Sequence, residues 1–412
     1  MSTKNSLLAE IERDRDEIVE FFRGFVRVKS PNPPGDTRDV AAYVSDFLTK
    51  QGLDFRTVAP KVEFPNLIAS FEAARPGRHL VLNGHMDVFP VDPTGWTKDP
   101  WGGELVDGKI YGRGACDMKA GTSASIFTYR YLHRIRDELK GKLTLTCVSD
   151  EETFGPWGAR YLVENCPEVL GDCVLNGEPS GTNTIRFGEK GPLWLTFNVA
   201  SPGAHGAYTH LSASATKIAA RFVADLEVVT ELRPNPPDNI VRALTQAASA
   251  VDKAMGEGAS EIVPKVTLNI GVVEGGLKVN MIPSQCKIEA DIRLPLGLDE
   301  KTVMGEVNKL LARYPEVTLE NVNSTAPSYC DPYGEMVEIL QANVKQISGV
   351  TPTPIVSLGG TDARLWRYRN IPAYVHGPPP TNMASFDEHV SVDDFLQVVR
   401  AHVLSAYDYL SR

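Results

Sequence analysis

Apolar residues recur along this chain at two spacings, and the spacing changes from one segment to the next. Short buried-type runs or strict alternations mark strands near residues 55–58, 66–71, 79–88 (around Leu80-Val81-Leu82), 142–148 (Leu143, Leu145, Cys147) and 173–175. Stripes at helical spacing cover residues 7–28, residues 40–52 and a segment after Asp117 that carries Ala120, Ala124, Phe127, Tyr131 and Ile135 on one side. Strand and helix in alternation predict an α/β domain with a mainly parallel sheet, whose ligands gather at the carboxyl ends of strands. From residue 190 the order changes. Strands near 190–200, 265–273, 285–294 and 317–322 and helices near 215–231 and 299–314 predict a separate α+β segment. Residues 233–261, rich in Pro, Asn and Ala, read as an insertion serving as a lid decoration or a subunit contact. The first pattern then returns, with helices near 334–347 and 392–410 and strands near 353–356 and 371–375.

Composition narrows the function classes. The 412 residues are 42% hydrophobic and 23% charged, ordinary globular values, and the net charge of -10 disfavours a nucleic-acid partner. The first residues are polar, without an apolar signal core, and no apolar run is long enough to span a membrane. Six cysteines fall at no metal-knuckle or disulfide-framework spacing, so free thiols in a reducing cytoplasm are expected.

The candidate chemistry lies at strand ends. His85 and Asp87 share one face of their strand, because side chains alternate with a period of two. One can bind a metal while the other holds its imidazole from behind. Asp117 sits on a glycine-permitted turn before a helix. The 142–148 strand runs into Ser149-Asp-Glu-Glu152, and the next into Asn176-Gly-Glu178. Consecutive acids at a buried strand end repel one another and call for a positive partner. Carboxylates converging with one imidazole favour a divalent ion such as Zn, Mn or Co.

These motifs resemble the M20 metallopeptidase family of desuccinylases, deacetylases and carboxypeptidases. The matches are Gly84-His-Met-Asp87, Gly112-Arg-Gly-Ala-Cys-Asp-Met-Lys119, Ser149-Asp-Glu-Glu152, Gly177-Glu-Pro-Ser180, Gly203-Ala-His-Gly-Ala-Tyr-Thr-His210, Asn280-Met-Ile-Pro283 and Gly359-Gly-Thr-Asp362, in family order over essentially the whole chain. The resemblance implies a zinc-peptidase-like catalytic domain in two parts, residues 1–190 and 325–412, with an inserted α+β lid and dimerisation domain at 191–324. It implies that His85 and Glu178 bind one metal, that Asp117 bridges, that Glu152 binds a second metal and that Asp87 orients His85. Glu151 would be the general acid/base, moving a proton from metal-bound water to the leaving nitrogen. His205 would reach the partner subunit's site in a homodimer, or a higher homo-oligomer, and stabilise the oxyanion. Asn280, Arg293, Gly360 and Thr361 would contact a small carboxylate-bearing substrate.

One position departs from that pattern. The family's last metal ligand, a His four residues before Glu388, is here Ala384. Three readings follow: His389 supplies the nitrogen, His376 supplies it, or one ion is firmly bound at His85, Asp117 and Glu178. The third is preferred, because His389 sits where relatives carry an ordinary side chain. One or two divalent ions per subunit are therefore expected. The implied activity is hydrolysis of a C–N bond by an amidohydrolase or deacylase, most directly of an amide in an N-acyl amino acid. The rival substrates are a dipeptide, a carbamoyl amine or an amine on an activated aromatic ring. The rival of another class is a non-catalytic relative that binds a small carboxylate.

Overall fold

The run Leu80-Val81-Leu82 lies in the strand Arg75–His85 and is fully buried, as a strand covered on both faces requires. This strand pairs in parallel with Lys140–Val148 on one side and with Cys173–Asn176 on the other. Ala373–Val375 lies parallel to Cys173–Asn176, and Val375 meets Arg186 of the antiparallel strand Thr184–Glu189. Asn66–Glu72 and Arg56–Val58 extend the far flank antiparallel. The sheet is thus parallel at its centre. Its register sets His85 opposite Val148 and Asn83 opposite Asn176. The segments after His85, Val148 and Asn176 therefore leave one edge of the sheet together, where an α/β domain gathers its ligands.

The computed structural model describes residues 2–412, which divide into two compact units. The first runs to Phe187 and resumes over Cys330–Ile355 and Thr361–Arg412. The second comprises Gly188–Tyr329 with Val356–Gly360. This last short stretch groups with the second unit although it follows the chain's return to the first.

Within the first unit the helix Ala120–Arg134 is buried all round from Ala120 to Leu132 and packs on the final helix Val392–Ser411. Its first turn touches the backbone of the Glu178 loop: a Cβ added to Gly121 would lie 1.9 Å from the Gly177 carbonyl oxygen. Residues 7–28 form two helices, Thr3–Arg13 and Arg15–Arg27, rather than one. The break falls at Asp14, whose carboxylate accepts from Tyr131 Oη at 3.1 Å and pairs with Arg130 at 3.5 Å. These tertiary contacts outweigh the local helical pattern.

The second unit is a four-stranded antiparallel sheet in the order Thr267–Gly275, Gln285–Leu294, Gly191–Ala200, Val317–Ser324. Strict alternation buries Leu193, Leu195, Phe197 and Val199 opposite Ile292, Ala290, Ile288 and Cys286. The helices Ala215–Leu226 and Glu300–Leu311 supply Phe222 and Val303 to the same core. Residues 233–261 contain an 18-residue helix, Asp238–Met255, that buries Ile240, Ala243, Ala247 and Val251. The prolines before it obscure that stripe in the sequence.

Replacing Gly121 with Ala should destabilise the protein by about 1–3 kcal/mol, because the methyl group meets backbone that cannot rotate away. Urea unfolding of G121A against wild type measures it, and equal midpoints would contradict the tight helix–loop contact.

Candidate active site

His85 ends its strand with the imidazole 1% exposed. Its Nδ1 lies 2.9 Å from the Asp87 main-chain oxygen and 3.5 Å from Asp87 Oδ1. Donation from Nδ1 to the carbonyl fixes the ring so that Nε2, protonated toward the carboxylates in the metal-free chain, becomes the ligand lone pair once a metal displaces that proton. Nε2 faces Asp117 Oδ1 at 3.2 Å and Glu178 Oε1 at 3.3 Å. The carboxylate of Asp87 serves mainly the next loop: Oδ1 accepts the Glu151 N–H at 3.2 Å and Oδ2 the Glu152 N–H at 3.1 Å. Asp150, with a φ of 64°, turns the chain just before them. As a result the two adjacent glutamates address different neighbours. Among the described residues, one group of potential ligand atoms within 4.8 Å of one another joins His85, Asp117 and Glu152, and another joins His85, Glu151 and Glu178.

Asp117 projects from the turn Ala115–Lys119 at the entry to the helix Ala120–Arg134. Gly114, with a φ of 80°, opens that turn, and a Cβ there would lie 2.3 Å from Val88. Glu388 fixes the turn from behind. Its Oε1 accepts the N–H groups of Cys116 and Asp117 at 3.0 and 3.2 Å, and its Oε2 pairs with Arg113 at 2.5 Å. Lys119, fully buried, donates to the carbonyls of Phe25 and Val28 and so ties the turn to the end of the helix Arg15–Arg27.

The electrostatics are those of an acid cluster with too little positive charge. Burial, then the neighbouring Asp117, push Glu178 up to about 7 despite the opposing pull of His85. Burial and Glu178 push Glu151 up to about 8 against the pull of His85 and Arg364. Glu152 is raised well above the ordinary range by burial and by Asp117. Burial would lower His85, yet Glu178, Asp117 and Asp87 lift it well above its ordinary value. Oε1 of Glu151 and Oε1 of Glu152 are buried without a hydrogen bond. Buried oxygens without donors and carboxylates that raise one another suit a divalent cation, so the donor set fits the metal that the motifs imply.

The other expected residues are distributed as follows. His389 and His376 belong to neither group. Nδ1 of His389 bonds the Asp387 carbonyl at 2.8 Å and its ring packs on Tyr111, while Nδ1 of His376 bonds the Thr184 carbonyl at 2.9 Å. The oxygen of Ala384 accepts from Arg113 at 3.1 Å. In the second unit, exposed His205 pairs with Met281 in a two-residue strand, and Gly206 N–H donates to the Asn280 oxygen at 2.7 Å, so His205 and Asn280 are neighbours. The guanidinium of Arg293 is engaged by Asp291 at 2.9 Å. Gly360 groups with the second unit. Thr361, 2% exposed, belongs to the first, and its oxygen accepts the Arg364 N–H at 3.2 Å.

Sequence reasoning missed four residues that frame the site. Glu388 and Arg113 are one buried pair whose members lie 275 residues apart. Arg364, 2% exposed, places Nη1 3.5 Å from Glu151 Oε1. Asp362 beside it is raised to about 8 by burial and by Glu151. The available signals were the motifs themselves: Arg113 lies within Gly112–Lys119, Glu388 marks the segment of the missing His, and Asp362 and Arg364 follow Gly359-Gly-Thr.

The model of peptidase family M20/M25/M40 matches residues 81–408. The chain is 25% identical over 422 residues to succinyl-diaminopimelate desuccinylase 2 of Ruegeria sp. (strain TM1040), with 98% of each chain covered. It is 28% identical over 341 residues to succinyl-diaminopimelate desuccinylase of Xanthomonas euvesicatoria pv. vesicatoria, covering 81% of this chain and 83% of that one. The M20 family metallo-carboxypeptidase Sso-CP2 from Sulfolobus solfataricus has the same fold, with a TM-score of 0.80 at 19% identity and 99% of both chains covered. So does the di-peptidase Dug1p from Saccharomyces cerevisiae, at 0.81 and 15% identity, with 100% and 99% covered. The strand-end acid cluster therefore sits in a chain that belongs to peptidase family M20/M25/M40, a family of metallohydrolases that cleave C–N bonds.

Proposed function

We propose that this enzyme hydrolyses the amide bond of a small carboxylate-bearing substrate, most directly an N-acyl amino acid. His85, Asp117 and Glu178 hold one divalent ion firmly, and Glu152 with Asp117 offers a weaker second position. The observation that carries the reading is the convergence of His85 with the buried Asp117, Glu151 and Glu178 and the half-buried Glu152, two of these acids keeping a buried oxygen without a hydrogen bond. Zn, Mn or Co bound there lowers the pKa of a coordinated water and polarises the scissile carbonyl.

The chain's own groups supply the rest. Glu151 accepts a proton from the attacking water and delivers it to the leaving nitrogen as the C–N bond breaks. Burial lifts this carboxyl toward the neutral range, to about 8 in the metal-free chain, the direction a proton carrier requires. Arg364, 3.5 Å away, limits how far the lift goes. His205, exposed in the second unit, is assigned as the donor to the developing oxyanion in a partner subunit's site. Asn280, Arg293, Gly360 and Thr361 are assigned to the substrate. A homodimer through the second unit is supported by the exposed apolar side chains Leu277, Val279 and Met281 beside His205. Relatives named as desuccinylases, matched over most of the chain, favour an acyl amide over a dipeptide. Among the described residues no helix is long and apolar enough to cross a membrane and all six cysteines are free. Both facts support a cytoplasmic site of action.

E151Q should lower kcat by roughly 10²–10⁴-fold while the metal content per chain is unchanged. Turnover of N-succinyl and N-acetyl amino acids, dipeptides and N-carbamoyl amino acids by wild type and E151Q, with metal analysis of both, tests this. Full turnover by E151Q removes the mechanism, and a preference for dipeptides or carbamoyl amines reassigns the substrate. One tightly held ion per chain is expected, and two held equally would show that the Glu152 position needs no nitrogen.

The metal-free protein should lose stability as pH rises. Glu178 and Glu151 hold protons up to about 7 and 8 in the folded chain but only to their ordinary 4.5 when unfolded. The folded state therefore binds more protons across that window, its advantage is complete below it, and it fades as pH passes through the folded values. Thermal unfolding of chelated protein between about pH 5 and pH 8 should show a falling midpoint, which added Zn or Mn flattens. A midpoint that rises over that range in the chelated protein would contradict the cluster's charge balance.

A further inference from the structure

The loop Ser30-Pro-Asn-Pro-Pro-Gly35 reads from sequence as a turn-rich connection, yet it is wired into the site. The N–H of Asn32 donates to the Val88 carbonyl at 2.9 Å and Val88 N–H returns to Ser30 at 3.0 Å, so the loop lies parallel against the chain just past His85. Ser30 Oγ adds a bond to the Met86 carbonyl at 2.7 Å. Asn32 itself is 3% exposed. Its Nδ2 donates to Asp87 Oδ2 at 2.9 Å and to Asp150 Oδ1 at 3.1 Å. A side-chain amide has two such hydrogens. Both are directed at carboxylates that are themselves buried.

Those two carboxylates belong to different strand ends. Asp87 follows His85 and accepts the N–H groups of Glu151 and Glu152. Asp150 opens the loop that carries these glutamates and holds its next turn through Thr153 Oγ1 at 2.8 Å and Trp157 N–H at 3.1 Å. One neutral amide thus clasps the His85 end to the Glu151 loop. Neutrality matters here. A third carboxylate in its place would repel both, and an ammonium or guanidinium would add positive charge behind the His85 imidazole.

We infer that Asn32 is a positioning residue: by bridging Asp87 and Asp150 it fixes the direction of Glu151 relative to His85. The inference rests on the hydrolytic reading above, in which Glu151 moves the proton and His85 holds the metal.

The test uses N32L, which keeps the volume and removes both donors, and N32S, which keeps one hydroxyl donor. Each is made in wild type and in E151Q and assayed on the best substrate of the panel above. N32L should lower kcat by roughly 10–100-fold with little change in KM, and N32S by less. On the E151Q background either change should cost less than about twofold, because the residue through which Asn32 acts is already disabled. Amide hydrogen exchange, which needs no substrate, should be at least about tenfold faster at Glu151 and Glu152 in N32L and unaltered in the helix Ala120–Arg134. Losses that multiply with E151Q, or unchanged exchange at Glu151 and Glu152, would overturn the inference. Should N32L fail to fold, N32S on both backgrounds decides by the same criteria. Wild-type turnover by E151Q would instead remove the hydrolytic reading, whereas an inactive E151Q beside a fully active N32L would remove only the role of Asn32.

Discussion

Asp87 is a fully buried carboxylate that receives the main-chain N–H groups of Glu151 and Glu152, the amide of Asn32 and the flank of the His85 imidazole. Burial alone would raise its pKa, but the bonds from His85, Asn32 and Glu152 keep it below the ordinary value, so it stays charged. A charge in that position is stable only while its donors stay in place. The Glu151 and Glu152 N–H groups in turn take this carboxylate as their acceptor. Mutual dependence of this kind converts three separate chain segments into one rigid corner, and the ligand atoms hang from that corner.

The rest of the site stores repulsion. Asp117, Glu151, Glu152 and Glu178 face one imidazole, and the pKa directions of the three glutamates show each resisting ionisation. A fold selected for stability alone would replace these acids with apolar side chains of similar volume. Their retention follows from what a cation does to the balance, since it turns the repulsion among carboxylates into attraction to a shared centre. Tight backbone contacts keep the acids from relaxing apart. Gly121 against Gly177 and Gly114 against Val88 leave no room for even a methyl group, so the walls of the site cannot retreat.

A second ring of ion pairs and hydrogen bonds stiffens these walls. Arg113 and Glu388 hold the Asp117 turn, Lys119 ties it to the first-unit helices, and Arg364 stands against Glu151. Arginine suits the two buried pairs because its planar fork engages two acceptors at once: Arg113 reaches Glu388 and the Ala384 carbonyl together. This ring also explains how residues 381–388 keep their course without a ligand side chain at Ala384. Asp387 accepts the N–H groups of Thr97 and Lys98 at 2.9 and 3.2 Å, so the segment is anchored at Ala384 and again at Asp387 and Glu388.

The sequence by itself determined the parallel-centred α/β sheet, the alternating α+β unit and the identity of the acids near His85. Those follow from side-chain period and from short motifs at strand ends, both local properties of the chain. Local pattern could not decide where long-range donors would land. Asp87 reads as the partner of His85, two residues away, and its Oδ1 does lie 3.5 Å from Nδ1, but the same carboxylate also holds the backbone of Glu151 and Glu152, more than sixty residues on. Two adjacent glutamates read as one ligand and one base, and the positive φ at Asp150 is what brings them near His85 in different company, Glu152 with Asp117 and Glu151 with Glu178. Arg113 and Glu388 lie in or beside the family motifs, but no local pattern says that they pair with one another, that Arg364 meets Glu151 or that Asn32 meets Asp87 and Asp150. Only the tertiary structure decides such meetings, since a buried charge selects its partners by distance and desolvation rather than by position in the chain.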